Sequence, residues 1–363
     1  RVVPISNAVT LTLGTGGQGG VLALANAAGS FTGGLISIAT QSWFYQLDSI
    51  NALDFDAYLL TNNRVVKTGD GTMNVLRRQI FQQGSADTMI GGGRVNLLGG
   101  SNTLPVVPTV GAIAGSTLIS NRGILDLSGN SQMFTGLSST NPLAGMGGEV
   151  TNSSGTGAVL TISGAGTFGG SLTGNLGFTR AGNTTTTLSN VNTYTGSTIV
   201  RGGVLNLLDK GELRNTSDIA VNFGTLQWND QGLFVGSGLA SGGRVPVAAA
   251  INLNGGTLAF LGNQTTASVG TVNAATGQQT VTVTPWTGNV APSVLNITNL
   301  ARSTGSAVNF TGTNVGQKGF GTSQVFLTQI DGVNTALADG ILGGWATVAG
   351  TDFAAYAAAG ADQ

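Results

Sequence analysis

The densest group of residues able to do chemistry is acidic. Asp54 and Asp56 flank Phe55, and Asp48 and Asp70 lie close by in sequence. Carboxylate oxygens grouped in this way are the hard ligands that Ca²⁺ takes, so Asp54, Asp56 and Asp70 are the metal candidates. The plainer reading is solvated carboxylates on loops. The Gly-Gly-x-Gly-x-Asp nonapeptide of calcium-binding β-helices is missing, and Gly69-Asp70-Gly71 stands alone. After Asp87 the aspartates are single: Asp126, Asp209, Asp218, Asp230, Asp331, Asp339, Asp352 and Asp362. The closest carboxylate pair among them, Asp209 with Glu212, brackets Lys210 and reads as a surface turn. Glycan cleavage needs clustered carboxylates, or Ca²⁺ with a basic catalyst. Only the stacking of distant segments could assemble such a cluster here.

Composition closes off other chemistry. The 363 residues include no Cys and no His. Thiol, disulfide, zinc–thiolate and His-dependent acid–base sites are therefore excluded. Fourteen basic and 15 acidic residues leave a net charge of −1, with no general attraction for nucleic acid or anionic lipid. The pair Arg77-Arg78 reads as solvated. No stretch reaches the 18 or more apolar residues of a membrane-spanning helix. A hydrophobic content of 40% with almost no net charge is the reverse of a disordered composition. The absence of Cys suits an exported bacterial protein, and an opening on Arg1 suits a processed or partial chain.

These residues must be positioned by strands. Sixty Gly and 47 Thr punctuate short runs of period-two apolar alternation. Helical periodicity is rare; Asn51 to Leu60, Asn74 to Gln83 and Phe353 to Ala359 are the helical candidates, the second reading equally as an irregular strand. A small unit recurs: a turn glycine, then a strand with large apolar residues two and four places on. It begins at Gly93, Gly123, Gly203, Gly224 and Gly256, with a looser version at Gly157. Glycine gives a tight corner at little steric cost. The two apolar residues face one side of a strand, and the residue between them, Asn, Asp, Gln or Ala, suits the outer face. One such unit cannot bury its own apolar face, whereas stacked units form a continuous core. The Asn-Gly and Asp-Gly pairs at Asp70, Asn254, Asp331 and Asp339 are too few for a run of tight hairpins. The expected fold is all-β, a right-handed parallel β-helix with roughly 20–30 residues per coil. About 14 coils at the usual strand spacing would span about 70 Å. Thr, Asn and Ser fit this arrangement because like residues stack as hydrogen-bonded ladders. Trp228 and Phe260 take core positions. The expected organisation is 1–90, a less regular N-terminal capping or docking region; 91–300, β-helix repeats; and 301–363, a β region that continues the solenoid or forms an assembly contact.

Leu176 to Leu207 resembles the autotransporter-associated β-strand repeat. The likeness rests on Asn192-Thr193-Tyr194-Thr195-Gly196 followed by Gly202-Gly203, Leu205 and Leu207, with Gly182, Leu188 and Val200 also matching. Arg180 stands where the repeat usually has Lys, while Asn183, Thr185 and Ser197 depart from the pattern. Weaker half-repeats run from about Gly93 to about Leu261. Leu300 to Thr313 and Gly340 to Val348 resemble segments of very large surface proteins that carry such repeats. The resemblance implies a parallel β-helix, export and a surface, adhesive or structural role, and it implies no catalytic residue and no cofactor. Tyr194 is expected at a coil corner with its hydroxyl at the surface. A β-helix with uncovered ends exposes unpaired strand edges, and no cap is evident after Gln324. The expected function is therefore a non-enzymatic structural protein of the cell exterior. Copies would join through strand contacts into a filament, sheath or surface layer. The alternatives are an adhesin or passenger segment that binds a surface or glycan, and a β-helix polysaccharide lyase or hydrolase.

Overall fold

In the computed structural model the described residues are 2–5, 10–13, 19–24, 29–38, 41–61, 64–79, 87–104, 116–120, 122–234, 243–288, 291–334 and 340–356. Among them every helix or strand is a strand, and nearly all strand pairs are parallel. The chain forms two compact units, Arg1–Thr179 with Thr193–Thr195, and Arg180–Asn192 with Gly196–Gln363.

In the first unit one sheet runs through Leu53–Thr61, Thr72–Val75, Gly93–Leu97, Gly123–Asp126, Glu149–Asn152 and Ser171–Gly174. Gly29–Ile38 precedes them and pairs with Val2–Pro4 and Thr10–Leu13. A second sheet runs through Gly19–Ala23, Ser42–Gln46, Val65–Thr68, Thr88–Ile90, Ser116–Ile119 and Gly136–Ser139. Register partners in the first sheet lie 20 residues apart (Leu53 to Met73) to 30 apart (Val95 to Leu125). Leu53, Met73, Val95, Leu125, Val150 and Leu172, all buried, lie in register as one apolar row.

The second unit repeats this logic. One sheet runs through Thr198–Val200, Ile219–Asn222, Ile251–Asn254, Thr266–Thr276, Ser293–Arg302 and Ser323–Ile330. The other runs through Thr185–Leu188, Val204–Leu208, Thr225–Asn229, Thr257–Gly262, Gln278–Pro285, Ala307–Gly312 and Ala346–Val348. The units at Gly203, Gly224 and Gly256 stack in register, with Leu205 on Leu226 on Leu258 and Leu207 on Trp228 on Phe260, all buried. Gly93 likewise lies opposite Gly123.

Several expectations are corrected. Asn51 to Leu60 is not a helix: Leu53, Phe55, Ala57 and Leu59 are buried while Asp54 and Asp56 take the other face, a period of two rather than 3.6. Asn74 continues the strand Thr72–Val75, the chain is irregular to Gln79, and Ile80 to Gln83 lie outside the described residues. Asp352–Phe353 and Ala355–Tyr356 are strands, and the rest of that tail lies outside the described residues. The looser unit at Gly157 enters a different ladder, with Leu160 opposite Gln132. The strand that follows Gly123–Asp126 in its sheet is Glu149–Asn152. Ser293–Arg302 runs unbroken through residue 300, and Gly93–Leu97 pairs with Thr72–Val75 across residue 90.

The residues between the apolar positions do not simply face water. Asp54, Asn74, Asn96, Asp126, Thr151 and Thr173 lie in register as one polar row. Asn74 Nδ2 donates to Asp54 Oδ1 at 2.8 Å, Asn96 Nδ2 to Asn74 Oδ1 at 2.9 Å, and Thr173 Oγ1 to Thr151 Oγ1 at 2.8 Å. In the second unit Gln227 Nε2 donates to Asn206 Oδ1 at 2.9 Å and Asn206 Nδ2 to Thr187 Oγ1 at 3.2 Å. The inward rows carry more of the stability than the outward ones. Phe260→Ala is expected to cost about 3–5 kcal/mol through its cavity, and Gln227→Ala about 1 kcal/mol through one partly exposed hydrogen bond. Denaturant titration of the two variants checks the order.

Candidate functional site

The three Ca²⁺ candidates have separate partners. Asp54 accepts from Asn74, Asp56 pairs with Arg77, and Asp70 meets Arg122 at 3.1 Å in the open. Arg77 also lies over the Tyr58 ring, and Arg78 Nη2 donates to the Ser101 carbonyl, so the basic pair is engaged rather than free. Among the described residues no group of three acidic side chains is placed to hold a metal ion.

The repeat-defining residues are structural in their contacts. Asn192 is fully buried; its Nδ2 donates to the carbonyls of Asn190 and Glu212, and its own carbonyl accepts from Arg214 N. Thr193 N and Thr195 N bond the carbonyls of Leu172 and Gly174, and the Gly196 carbonyl accepts from Thr216 Oγ1 at 3.0 Å. Tyr194 has no exposed surface and packs against Phe178, which corrects the expectation of a surface hydroxyl. Gly202-Gly203 opens the strand that carries the buried Leu205 and Leu207.

Gly203 shows why its position needs glycine. Its φ is +58°, and a Cβ there would sit 2.2 Å from the Thr184 carbonyl and 2.8 Å from Arg180 Nη2. Arg180 is fully buried and donates to the carbonyl and hydroxyl of Thr184; burial lowers its pKa from the ordinary value. The same device occurs earlier in the chain. Lys67 is buried and donates to the carbonyls of Gly69, Gly71 and Gly92. Gly93, at φ +62°, leaves room for the Lys67 ammonium, which an added Cβ would meet at 2.3 Å. Lys67-Thr68-Gly69-Asp70-Gly71-Thr72 thus corresponds to Arg180-Ala181-Gly182-Asn183-Thr184-Thr185. Two cations hold two equivalent turns, and the strand one coil later starts on a glycine that avoids them.

A third buried cation sits among acids that the sequence placed at the surface. Arg244 and Asp230 are both buried, with Nη2 and Nε at 2.6 and 3.2 Å from Asp230 Oδ1. Arg244 Nη1 donates to the carbonyls of Asp209 and Gly211, and Nη2 to that of Asn229. Asp209 Oδ1 accepts from the amides of Leu233 and Phe234, and the buried Glu212 pairs with Arg214. Asp209 and Glu212 are therefore not a surface turn. Single carboxylates are buried here because loop amides and arginines satisfy them.

Two hollows remain. An apolar cavity of about 330 Å³ is lined by Phe310, Val325, Leu327, Leu342, Val348 and Phe353. An open polar groove of about 560 Å³ lies along Asn252, Asn273, Asn299, Ala301, Ser303 and Asp331. Trp228 and Phe260 fill the core as expected, Trp286 is half exposed, and Trp345 stacks under the Arg302 guanidinium at 5.0 Å. No protein family, curated protein or solved structure matches the chain. The reading of this surface accordingly rests on its own geometry.

Two outcomes are expected. Arg244→Met should cost about 3–5 kcal/mol, because Asp230 is left charged and buried. Adding Asp230→Leu should recover part of that loss, and denaturant midpoints of the single and double variants check both. Burial pushes the Lys67 pKa down to about 8, against the pull of the Asp70 carboxylate. Below that pH the ammonium is charged in folded and unfolded chains alike. Between about 8 and the ordinary 10.5 only the unfolded chain keeps the proton, so the Lys67 contribution to stability rises with pH. Melting temperatures of the native chain should gain on those of Lys67→Met as pH rises through that window.

Proposed function

We propose that this chain is a non-enzymatic structural protein of the bacterial cell exterior, built as a right-handed parallel β-helix and joined to copies of itself through open strand edges. The coil reading is supported by parallel partners that recur 20 to 30 residues apart in the first unit, and 19 (Thr186 to Leu205) to 38 apart (Phe310 to Val348) in one sheet of the second. Parallel strands in one sheet need crossover connections, which are right-handed almost without exception. The placement outside the cell rests on the resemblance of Leu176 to Leu207 to the autotransporter-associated repeat.

The observation that carries the assembly reading is a difference between strand edges. Gly19–Ala23 has one described neighbour, Ser42–Gln46, and around it Leu22, Leu24, Tyr45 and Leu47 are exposed. The last strands are finished differently. Ser323–Ile330 is followed by the two-residue antiparallel strand Val333–Asn334, and Ala346–Val348 by Asp352–Phe353. Such short edges are poor templates for further pairing, which corrects the expectation of an uncapped region after Gln324. Copies therefore join first through the Gly19–Ala23 edge. One self-complementary contact gives pairs, and a filament or layer needs a second, different one. The exposed Phe320, Val333, Ile341 and Phe353 supply apolar surface for it.

A second reading, an adhesin or passenger segment that takes a surface glycan, is favoured by the open polar groove. A lyase or hydrolase gains no such support, since Asp209 and Glu212 are spent on loop amides and Arg214. Sedimentation and negative-stain microscopy over a concentration series test the assembly reading. The native chain should associate as concentration rises, and Leu22→Lys, which places a charge on the open edge, should hold it as monomers. A native chain that stays monomeric at every concentration overturns the proposal.

A further inference from the structure

The polar groove is a gap in a ladder. In register, the outward row of the second unit reads Ala220, Asn252, Asn273 and Ala301. One strand further, Leu300 lies opposite Ile330, so the turn residue Asp331 follows the Ala301 place. The amide orientations are fixed from the backbone. Asn252 Nδ2 donates to the Ile219 carbonyl at 3.2 Å, which leaves its Oδ1 to accept from Asn273 Nδ2 at 2.7 Å. Asn273 Oδ1 is thereby turned toward the next rung, where Ala301 offers only a methyl group. On the far side Asp331 Oδ1 accepts from Arg302 N at 2.7 Å, and Asn299 Oδ1 accepts from Gly332 N at 3.0 Å. Among the described residues no hydrogen bond engages Asn273 Oδ1, Asn299 Nδ2, Asp331 Oδ2 or Ser303 Oγ. Two acceptors, one amide donor and one hydroxyl thus surround an apolar floor.

We propose that this gap is a saccharide-binding subsite, in which ligand hydroxyls take the place of the missing rung. Neighbouring hydroxyls of a sugar ring donate to Asn273 Oδ1 and Asp331 Oδ2 and accept from Asn299 Nδ2, while the C–H face of the ring lies on Ala301. The groove is lined by one charge of each sign, Asp331 and Arg302, so its ligand class is a neutral polyhydroxyl chain rather than an ionic one. Each group is held by a hydrogen bond to backbone or to the preceding rung, so the donor and acceptor pattern exists before the ligand arrives, which lowers the cost of binding. The inference rests on the glycan-binding reading and is independent of self-association.

The test titrates the full chain with cellohexaose, maltohexaose and laminarihexaose, followed by isothermal calorimetry and by NMR of the ligand. At least one should bind saturably. Ala301→Asn, which restores the rung, and Asn273→Ala, which removes a wall, should each weaken that binding about tenfold or more, with melting temperature and circular dichroism preserved. If the native chain binds and both variants bind as well as it does, the subsite is overturned while the glycan-binding reading stands. If none of the three sugars binds, both fail.

Discussion

Everything in this protein depends on the fixed register of parallel strands about 4.8 Å apart. Once a strand is paired, each of its side chains lies against one residue before it and one after it in the same row. The inward row that opens on the buried Thr186 is apolar from there on, through Leu205, Leu226, Leu258, Val281 and Phe310. An outward row must match donors to acceptors from strand to strand, because a slip of one residue would exchange the two faces. Long excursions between strands are tolerated since lengthening a loop costs little chain entropy. Thr225–Asn229 and Thr257–Gly262 stay in register although 32 residues separate Leu226 from Leu258.

The turns must return the chain to that register, and buried cations help to hold them. A turn at the edge of a core leaves carbonyls that water cannot reach, and each needs a donor. Lys67 and Arg244 supply several donors apiece to such carbonyls, and Arg180 donates to the Thr184 carbonyl and hydroxyl. The ammonium of Lys67 meets three acceptors, which uses its full donor capacity. This explains why so few charges are present and yet three of the cations are buried. They act as hydrogen-bond hubs, and Arg244 is paired there with a buried carboxylate, Asp230.

The strand units were legible in the sequence wherever a turn glycine preceded two alternating apolar residues. Gly93, Gly123, Gly203, Gly224 and Gly256 all mark strands that stack as that pattern predicts. Strands with the glycine but only one of the two apolar residues were not legible: after Gly148 and Gly170, Val150 and Leu172 are followed two places on by Asn152 and Gly174, and only their neighbours define Glu149–Asn152 and Ser171–Gly174. Leu53–Thr61 was misread because two aspartates interrupt it, although Leu53, Phe55, Ala57 and Leu59 hold a period of two. The equivalence of Lys67 with Arg180 was hidden by Thr184, which stands in the place of Gly71 and breaks the glycine spacing. The burial of Asp209 and Asp230 could not be read, because their partners Leu233 and Arg244 lie 24 and 14 residues on with no pattern to link them, whereas Glu212 and Arg214 are only two residues apart. The candidate groove was equally invisible, since it is made of a residue that is missing from a row.

Amide ladders have a direction, and that direction decides where such rows end well. In the first unit the amides Asn74 and Asn96 lie between the carboxylates Asp54 and Asp126, which keeps like charges from lying directly opposite each other. Both ends of this row can only accept, whereas a chain of two amides donates at one end alone. Asn74 serves Asp54 and Asn96 serves Asn74, so Asn96 Oδ1 is left buried with no hydrogen-bond partner. Asp126 turns elsewhere, to Arg94 Nη1 and Ser153 Oγ, both at 2.6 Å. The row in the second unit starts from a carbonyl, that of Ile219, and runs the same way through Asn252 to Asn273. Its terminal acceptor meets an open groove instead of a carboxylate. The same rule of polarity thus leaves an unsatisfied acceptor inside one unit and presents one at the surface of the other, where a ligand hydroxyl can reach it.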